Sequence, residues 1–488
     1  MNILFVYSID EVYSLIKPLY APEQIQFGIS YISSFLKKHL YQTRLVVLGR
    51  LLGKKNFNII DKYLEEFYPK LICFTAVSSE YRFIADTAKY IKSRYPDIYL
   101  MLGGPHVSLN PKEALSGKFD AVCIGEGEYP TLELASQLEK GISPSGISNL
   151  WIKNGQIIEE NLPRPFLQDL DSLPFPDRQM WQEWIPEGSG AMLPVLLGRG
   201  CPFECTYCCN HALKKIASGT YVRLRSAENI IAEIREIITR YPIVETIYLE
   251  VETIGINKEW TMQLCSKLQY LNATLNKPLS FGVNLRVTPH MELESLFAEF
   301  KKTNFSFINI GLESGSERVR REILKRNYSN ADIINAVRLA RKYGLKVRFY
   351  NLIGVPGETL ADFKETIRIN KVCQPDSHYT YIFYPYHGTV LYSSCKEQGL
   401  LGKNLDTEME RSKACLNLPG FTKRQIQRSY LWFDYYLYKG RKPAYKLLAG
   451  VLASKIRLNY FYRRIKHYRL LKWPRQMLRS IHSIKDYK

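Results

Sequence analysis

Short apolar runs alternate with helix-length amphipathic stretches along most of this 488-residue chain, and that alternation restricts the fold more than any other feature. Runs at 2–8, 43–49, 70–76, 98–103 and 119–124 are bounded by turn residues, with amphipathic stretches such as 24–39 and 79–95 between them. A strand buried on both faces reads as an uninterrupted apolar run, and a parallel partner needs a crossover of helical length. Residues 1–140 are therefore predicted to form a doubly wound, Rossmann-like α/β domain with right-handed crossovers. The alternation resumes with strands at 193–198, 244–250, 279–285, 305–312, 346–353 and 378–384, and helices such as 226–240, 257–274, 330–344 and 359–373. These units predict a partial (β/α)6 barrel over 191–400. Residues 141–190 read as a connector, with a two-residue hairpin at Asn154-Gly155 and an extended proline-rich linker from Pro163 to Pro176. Residues 401–488 remain as a mostly helical, basic region.

Sheets and barrels of this kind bind ligands beyond the carboxyl ends of their strands. In the first block those ends read Thr75-Ala-Val-Ser-Ser79, Gly103-Gly-Pro-His106 and Gly125-Glu-Gly-Glu128. Glycine there lets the backbone approach a bulky ligand. In the second block the first strand runs into Gly198-Arg-Gly-Cys-Pro-Phe-Glu-Cys-Thr-Tyr-Cys-Cys-Asn-His211. Cys201, Cys205 and Cys208 can ligate three irons of a [4Fe–4S] cluster and leave the fourth without a protein ligand. Cluster ferredoxins use four cysteines, so an open iron points to chemistry on a bound ligand. A Cys₃His zinc site drawing on Cys209 or His211 is the alternative on these residues alone, although adjacent Cys208 and Cys209 are cramped as ligands of one ion. Glu250 and Glu252 end the second strand, Asn284 and Arg286 the third, Gly311-Leu-Glu-Ser314 the fourth and Gly354-Val-Pro-Gly-Glu358 the fifth.

The cysteine loop, with Tyr207 before its third cysteine, resembles the signature of the radical S-adenosylmethionine (SAM) enzymes. Gly311-Leu-Glu-Ser-Gly-Ser316 and Gly354-Val-Pro-Gly-Glu-Thr359 extend that resemblance over about 193–400. Leu100-Met-Leu-Gly-Gly-Pro-His106, followed by Phe119-Asp-Ala-Val-Cys-Ile-Gly-Glu-Gly-Glu128, resembles the cobalamin-binding domain found ahead of many radical SAM modules. The resemblance implies three cofactors: a [4Fe–4S] cluster on Cys201, Cys205 and Cys208, SAM on its free iron, and cobalamin. It gives the SAM ammonium to Glu250 or Glu252, the carboxylate to Arg286, the ribose to Glu313 and Ser314, and the adenine to the 352–357 loop, with Gly354, Gly357 and Tyr207 as further contacts. Many relatives carry consecutive acidic residues where this chain has Glu250-Val-Glu252, so which glutamate meets the ammonium stays open. Cobalamin contacts are expected at Thr75, Ser78, Gly103, Gly104, His106, Gly125, Glu126 and Gly127. Some cobalamin domains carry DxHxxG after the first strand; here Asp10 is followed by Glu11 and Val12, so the cobalt is expected to lack that lower histidine. His106 reads equally as a corrin contact or a loop-stabilising histidine. The implied activity is reductive cleavage of SAM to a 5′-deoxyadenosyl radical, hydrogen abstraction from an unactivated carbon, and methyl transfer from methylcobalamin to a lipid or natural-product substrate. Cyclisation or carbon–carbon coupling without methyl transfer is the rival within the family. A non-catalytic corrinoid- or metal-binding module is the rival outside it.

The net charge of +20 is concentrated at one end: residues 421–488 hold eighteen lysines and arginines against two aspartates, interleaved with fourteen aromatics. The runs Tyr430–Tyr438 and Leu458–Arg464 read as helices suited to a membrane interface, to a capping subdomain with a solvated basic face, or to RNA. RNA ranks last. The tRNA-modifying methylthiotransferases share the radical module but have an N-terminal cluster domain with three cysteines, whereas residues 1–140 hold only Cys73 and Cys123. Apolar runs are too short to span a bilayer, and Met1–Ser8 reads as a strand rather than a secretory signal. A reducing cytoplasm is therefore expected, with peripheral contact at the inner membrane face through the basic tail and a reductant such as flavodoxin or ferredoxin. Cysteines 73, 123, 265, 373, 395 and 415 read as core residues.

Overall fold

Seven strands form the first sheet: β1 (Asn2–Ile9), β2 (Gln42–Gly49), β3 (Leu71–Thr75), β4 (Tyr99–Gly103), β5 (Ala121–Cys123), β6 (Leu150–Asn154) and β7 (Ile157–Glu160), in the order β2-β1-β3-β4-β5-β6-β7. The first five run parallel. Interior strand β1, flanked by β2 and β3, buries Ile3, Leu4 and Val6 completely. The chain leaves β1 for β2 and returns on the other side at β3, so the crevice beyond β1 and β3 is the switch point where such sheets take ligands. The hairpin of the connector belongs to this sheet, because β6 pairs antiparallel with β5 and β7 with β6. This computed structural model describes residues 1–459 and 462, apart from 11, 15, 290, 403, 404 and 406–408.

The second sheet contains β8 (Met192–Leu196), β11 (Thr246–Glu250), β12 (Ser280–Leu285), β13 (Phe305–Glu313), β14 (Lys346–Ile353) and β15 (Ser377–Ile382). All of its pairings are parallel, in the order β15-β14-β13-β12-β11-β8, leaving a partial barrel open between β15 and β8. Two short antiparallel strands, β9 (Gly198–Arg199) and β10 (Arg223–Leu224), bracket the cysteine loop. Gly200 (φ +89°) fits there because a Cβ would stand 2.1 Å from the Tyr221 carbonyl.

The connector grips both halves. Asp177 accepts from Ser33 Oγ and pairs with Lys37, each at 2.7 Å. Its neighbour Arg178 donates through Nη2 to the Pro194 carbonyl and to Glu233 of the barrel, each at 2.6 Å. Trp181, fully buried, donates to Ser30 Oγ, and Trp184 donates to the Leu45 carbonyl.

In the C-terminal region Phe421, Ile426, Phe433 and Leu437 are buried in one apolar cluster with Phe363 of the barrel helix Leu360–Cys373. The aromatic run at 430–438 is thus partly packing material. Apart from 458, 459 and 462, the second run lies outside the described residues. Among the described residues, no helix is long and apolar enough to cross a membrane.

Candidate active site

The carboxyl ends of both sheets face one cavity of about 550 Å³. Thr75, Gly103, Gly104, Gly125, Glu126 and Gly127 line it from the first sheet, Glu250, Glu252 and Asn284 from the second, and Arg199 from β9 between them. Gly104 adopts φ +101°, and a Cβ there would lie 2.8 Å from both the Ala76 carbonyl and Thr75 Oγ1. That backbone is open to a ligand only because the residue is glycine. Ser78 and His106 are placed differently. His106 Nδ1 lies 3.3 Å from Ser78 Oγ, and its ring stacks on Tyr81 at 4.3 Å between centroids. Burial, and secondarily His387, hold the His106 pKa down to about 4, so the ring is neutral at neutral pH.

Glu126 lines the cavity and also clasps three segments together. It pairs with Arg199 and Arg223, each at 2.9 Å, and accepts the Leu167 N–H at 2.8 Å. Burial raises its pKa, but Arg199 and then Arg223 more than offset this, leaving it below the ordinary carboxylate value.

In the cysteine loop, Cys205 is buried while Cys201 and Cys208 are half-buried. The loop is tied from behind: Thr206 Oγ1 donates to the Ile323 carbonyl, and the Thr206 carbonyl accepts from Leu391 N–H. Arg286 Nη1 lies 2.8 Å from Cys205 Sγ with its guanidinium over the Phe203 ring at 3.6 Å, and its buried Nε has no partner among the described residues. Arg326 approaches the same sulfur at 3.9 Å, donates to Tyr207 OH at 3.0 Å and pairs with Glu313 at 3.3 Å. The Cys208 pKa falls to about 7, chiefly through a hydrogen bond from Cys209, whose own pKa that bond raises. Burial pushes Cys201 up to about 11.

Asn210 Nδ2 reaches both Cys208 Sγ, at 3.6 Å, and Glu252, at 3.1 Å. Burial and then Glu252 raise the pKa of Glu250. Among the described residues no cation pairs with either carboxylate, so this edge of the cavity suits a positively charged ligand.

The remaining residues singled out in the sequence lie at and just beyond the ends of β13 and β14 and are not among those lining the cavity. Glu313 takes φ +57° at the end of β13. Ser314 is fully buried, its Oγ accepting from Ser316 N–H. Gly354 N–H donates to Glu358, and the Gly357 carbonyl accepts from Arg318.

Among the described residues no three His, Cys, Asp or Glu side chains converge to hold a single metal ion. A cluster binds each thiolate to a different iron, so its ligands need not meet at one point. The donor set here, three thiols with guanidinium and amide donors beside them, fits that requirement. Arg199, Arg223, Asn210 and Arg326 were not singled out in the sequence. Arg199 carried a signal, lying between the two glycines that precede Cys201; Arg326 carried none.

Residues 195–369 match the Radical SAM superfamily and residues 20–135 match the B12 binding domain. An uncharacterised methyltransferase of Pyrococcus horikoshii is 26% identical over 431 residues, covering 88% of this chain and 90% of its own. The anaerobic magnesium-protoporphyrin IX monomethyl ester cyclase of Cereibacter sphaeroides is 22% identical, covering 76% of this chain and 60% of its own. The structure of the radical SAM methyltransferase TsrM from Kitasatospora setae, with cobalamin and a [4Fe–4S] cluster bound, aligns over 99% of both chains with a TM-score of 0.64 at 14% identity, a likeness of fold. With both domains matched in this order, the chain belongs to the cobalamin-dependent radical S-adenosylmethionine enzymes, whose cofactors are a [4Fe–4S] cluster, S-adenosylmethionine and cobalamin.

Proposed function

We propose that this enzyme methylates an unactivated carbon of a lipid or natural-product substrate. The observation that carries the reading is the single cavity onto which both the glycine loops of the first sheet and the carboxylates beside the cysteine loop open. Cys201, Cys205 and Cys208 would hold the cluster, Glu250 or Glu252 and Arg286 would hold SAM, and Gly103, Gly104, Gly125 and Gly127 would meet the corrin. When bound, SAM and the cluster supply a carbon-centred radical and cobalamin a transferable methyl group.

The chain's own residues prepare the setting. Arg286 and Arg326 place positive charge against the Cys205 sulfur. Asn210 couples Cys208 to Glu252. Phe5, Phe27, Phe74 and Met101 give the cavity an apolar wall that limits water near the reacting centre. A flavodoxin- or ferredoxin-type reductant would deliver the electron. In the helix Ala444–Leu458, Tyr445, Leu448 and Leu452 are exposed at helical spacing beside Lys455, which supports peripheral contact with a membrane surface.

The methyltransferase relative favours methyl transfer. The cyclase relative supports a second reading, ring closure without methyl transfer, and product mass separates the two. The test is anaerobic reconstitution with iron, sulfide and hydroxocobalamin, followed by metal analysis and SAM cleavage with dithionite. Bound iron and cobalt with release of 5′-deoxyadenosine are expected. Cys201→Ala, Cys205→Ala and Cys208→Ala should each lose the cluster. Retained SAM cleavage in any of them, or zinc in place of iron, would refute the proposal.

A further inference from the structure

The barrel interior carries chemistry that the cysteine loop does not use. One rung of inward side chains crosses it: Asn284 on β12 pairs in register with Asn309 on β13, and Asn309 with Arg348 on β14. The active-site cavity reaches the first of these, Asn284. Asn309 Nδ2 donates to Asn284 Oδ1 at 3.0 Å and to Tyr248 OH at 3.3 Å. Among the described residues its Oδ1 has no partner, although the residue is only 4% exposed.

Arg348 is half-buried and lies over the Phe307 ring at 3.7 Å. Among the described residues no carboxylate pairs with its guanidinium and no acceptor takes a hydrogen bond from it. The adjoining tier is aromatic. Tyr350 on β14 stacks on Tyr379 of β15 at 5.4 Å between centroids, and Tyr379, on the open edge of the barrel, is 45% exposed.

An unpaired, partly buried charge is unfavourable until an anion meets it. A guanidinium fixed by stacking presents a fork that matches a carboxylate or phosphate bidentately. We propose that the barrel interior is a substrate subsite, in which Arg348 binds an anionic group of the substrate and the Tyr350–Tyr379 tier holds its flat, conjugated part. This rests on the reading of the neighbouring cavity as the site of SAM cleavage. It narrows the substrate to an aromatic or conjugated acid.

The test uses reconstituted full-length protein and three probes of common shape: naphthoate, naphthyl phosphate and neutral naphthamide, with binding followed by equilibrium dialysis. At least one anion should bind saturably and more tightly than naphthamide, and the tighter anion identifies carboxylate or phosphate as the source. Arg348→Met should weaken that binding by roughly tenfold or more, since a charged hydrogen bond is lost, and Arg348→Lys should recover part of it. Equal binding of all three probes, or unchanged binding by a folded Arg348→Met, overturns the inference. If that variant does not fold, Tyr379→Leu takes its place: it should lose the preference for naphthoate over acetate, and a retained preference overturns the inference. SAM cleavage is read in parallel. A loss of SAM binding in Arg348→Met matching the loss of probe binding assigns the guanidinium to SAM's own carboxylate and overturns the inference. Wild-type protein that never cleaves SAM would instead remove the functional reading, leaving the anion result to be judged separately.

Discussion

Glu126→Gln removes one negative charge from the junction of the two sheets while nearly preserving shape. In the wild type that carboxylate meets Arg199, Arg223 and the Leu167 N–H. The side chains of Arg223, Arg199 and Glu126 are only 4%, 17% and 21% exposed. Removing one partner of a buried pair costs about 3–5 kcal/mol. Here Arg199 keeps Glu128, and Arg223 keeps the Leu167 and Tyr221 carbonyls, so the expected loss is smaller, about 2–3 kcal/mol. The assay is urea unfolding followed by tryptophan fluorescence, comparing midpoints at unchanged slope. Glu133→Gln, which breaks the more exposed Arg164 pair, is the control and should lose less than about 1 kcal/mol.

The sign of the pH dependence is fixed by the lowered Glu126 pKa. The contribution is fully present above the ordinary carboxylate value and is lost as pH falls through the folded one. The gap between wild type and Glu126→Gln should therefore close in acid. A variant no less stable than the control at neutral pH, or a gap that persists undiminished in strong acid, would refute the reasoning.

Other outcomes follow from single sites. Gly104→Ala forces a Cβ into the φ +101° backbone against Thr75 and Ala76, and should cost about 1–3 kcal/mol and reduce cobalt retained after gel filtration. Glu358 is buried with Oε1 unpartnered among the described residues, and burial, opposed by the Gly354 and Val355 N–H groups, pushes its pKa up to about 8. The folded state then holds that proton more tightly than the unfolded one, so wild-type stability should fall as pH rises from the ordinary carboxylate value to about 8. Melting temperatures of Glu358→Gln across that window should show the slope reduced. Cys209→Ala should retain iron after reconstitution, since Cys209 serves here as a donor to Cys208; loss of iron would make it a ligand.

The strands were legible because burial on both faces leaves a local signature, and β1, β3 and β4 coincide with apolar runs. Strand ends were legible as a level in the fold but not as side-chain directions. Thr75 and Gly103 reach the cavity, whereas Ser78 and His106, from the same two loops, bond to each other, with Tyr81 stacked on the imidazole. Glu126 was readable as a strand-end carboxylate, but its partners stand 73 and 97 residues downstream, a separation no local pattern records. The same limit applies to Arg326, which reaches Cys205 from 121 residues away. In the basic tail, composition gave the aromatics and cations but not their direction, and Phe433 and Leu437 turn inward.

Asp177 and Arg178 are consecutive, yet one holds the helix Phe27–Lys38 and the other holds barrel residue Glu233. A single peptide unit thus acts as a rivet between two layers, reinforced by the tryptophan anchors of the next turn. A carrier domain that commutes between distant stations needs slack in its tether, and here the tether is pinned to both layers at two consecutive residues. The spacing between the two cavity-lining edges is held by these same contacts. Loosening the rivet would therefore show itself first as misdirected chemistry, with both halves still loaded.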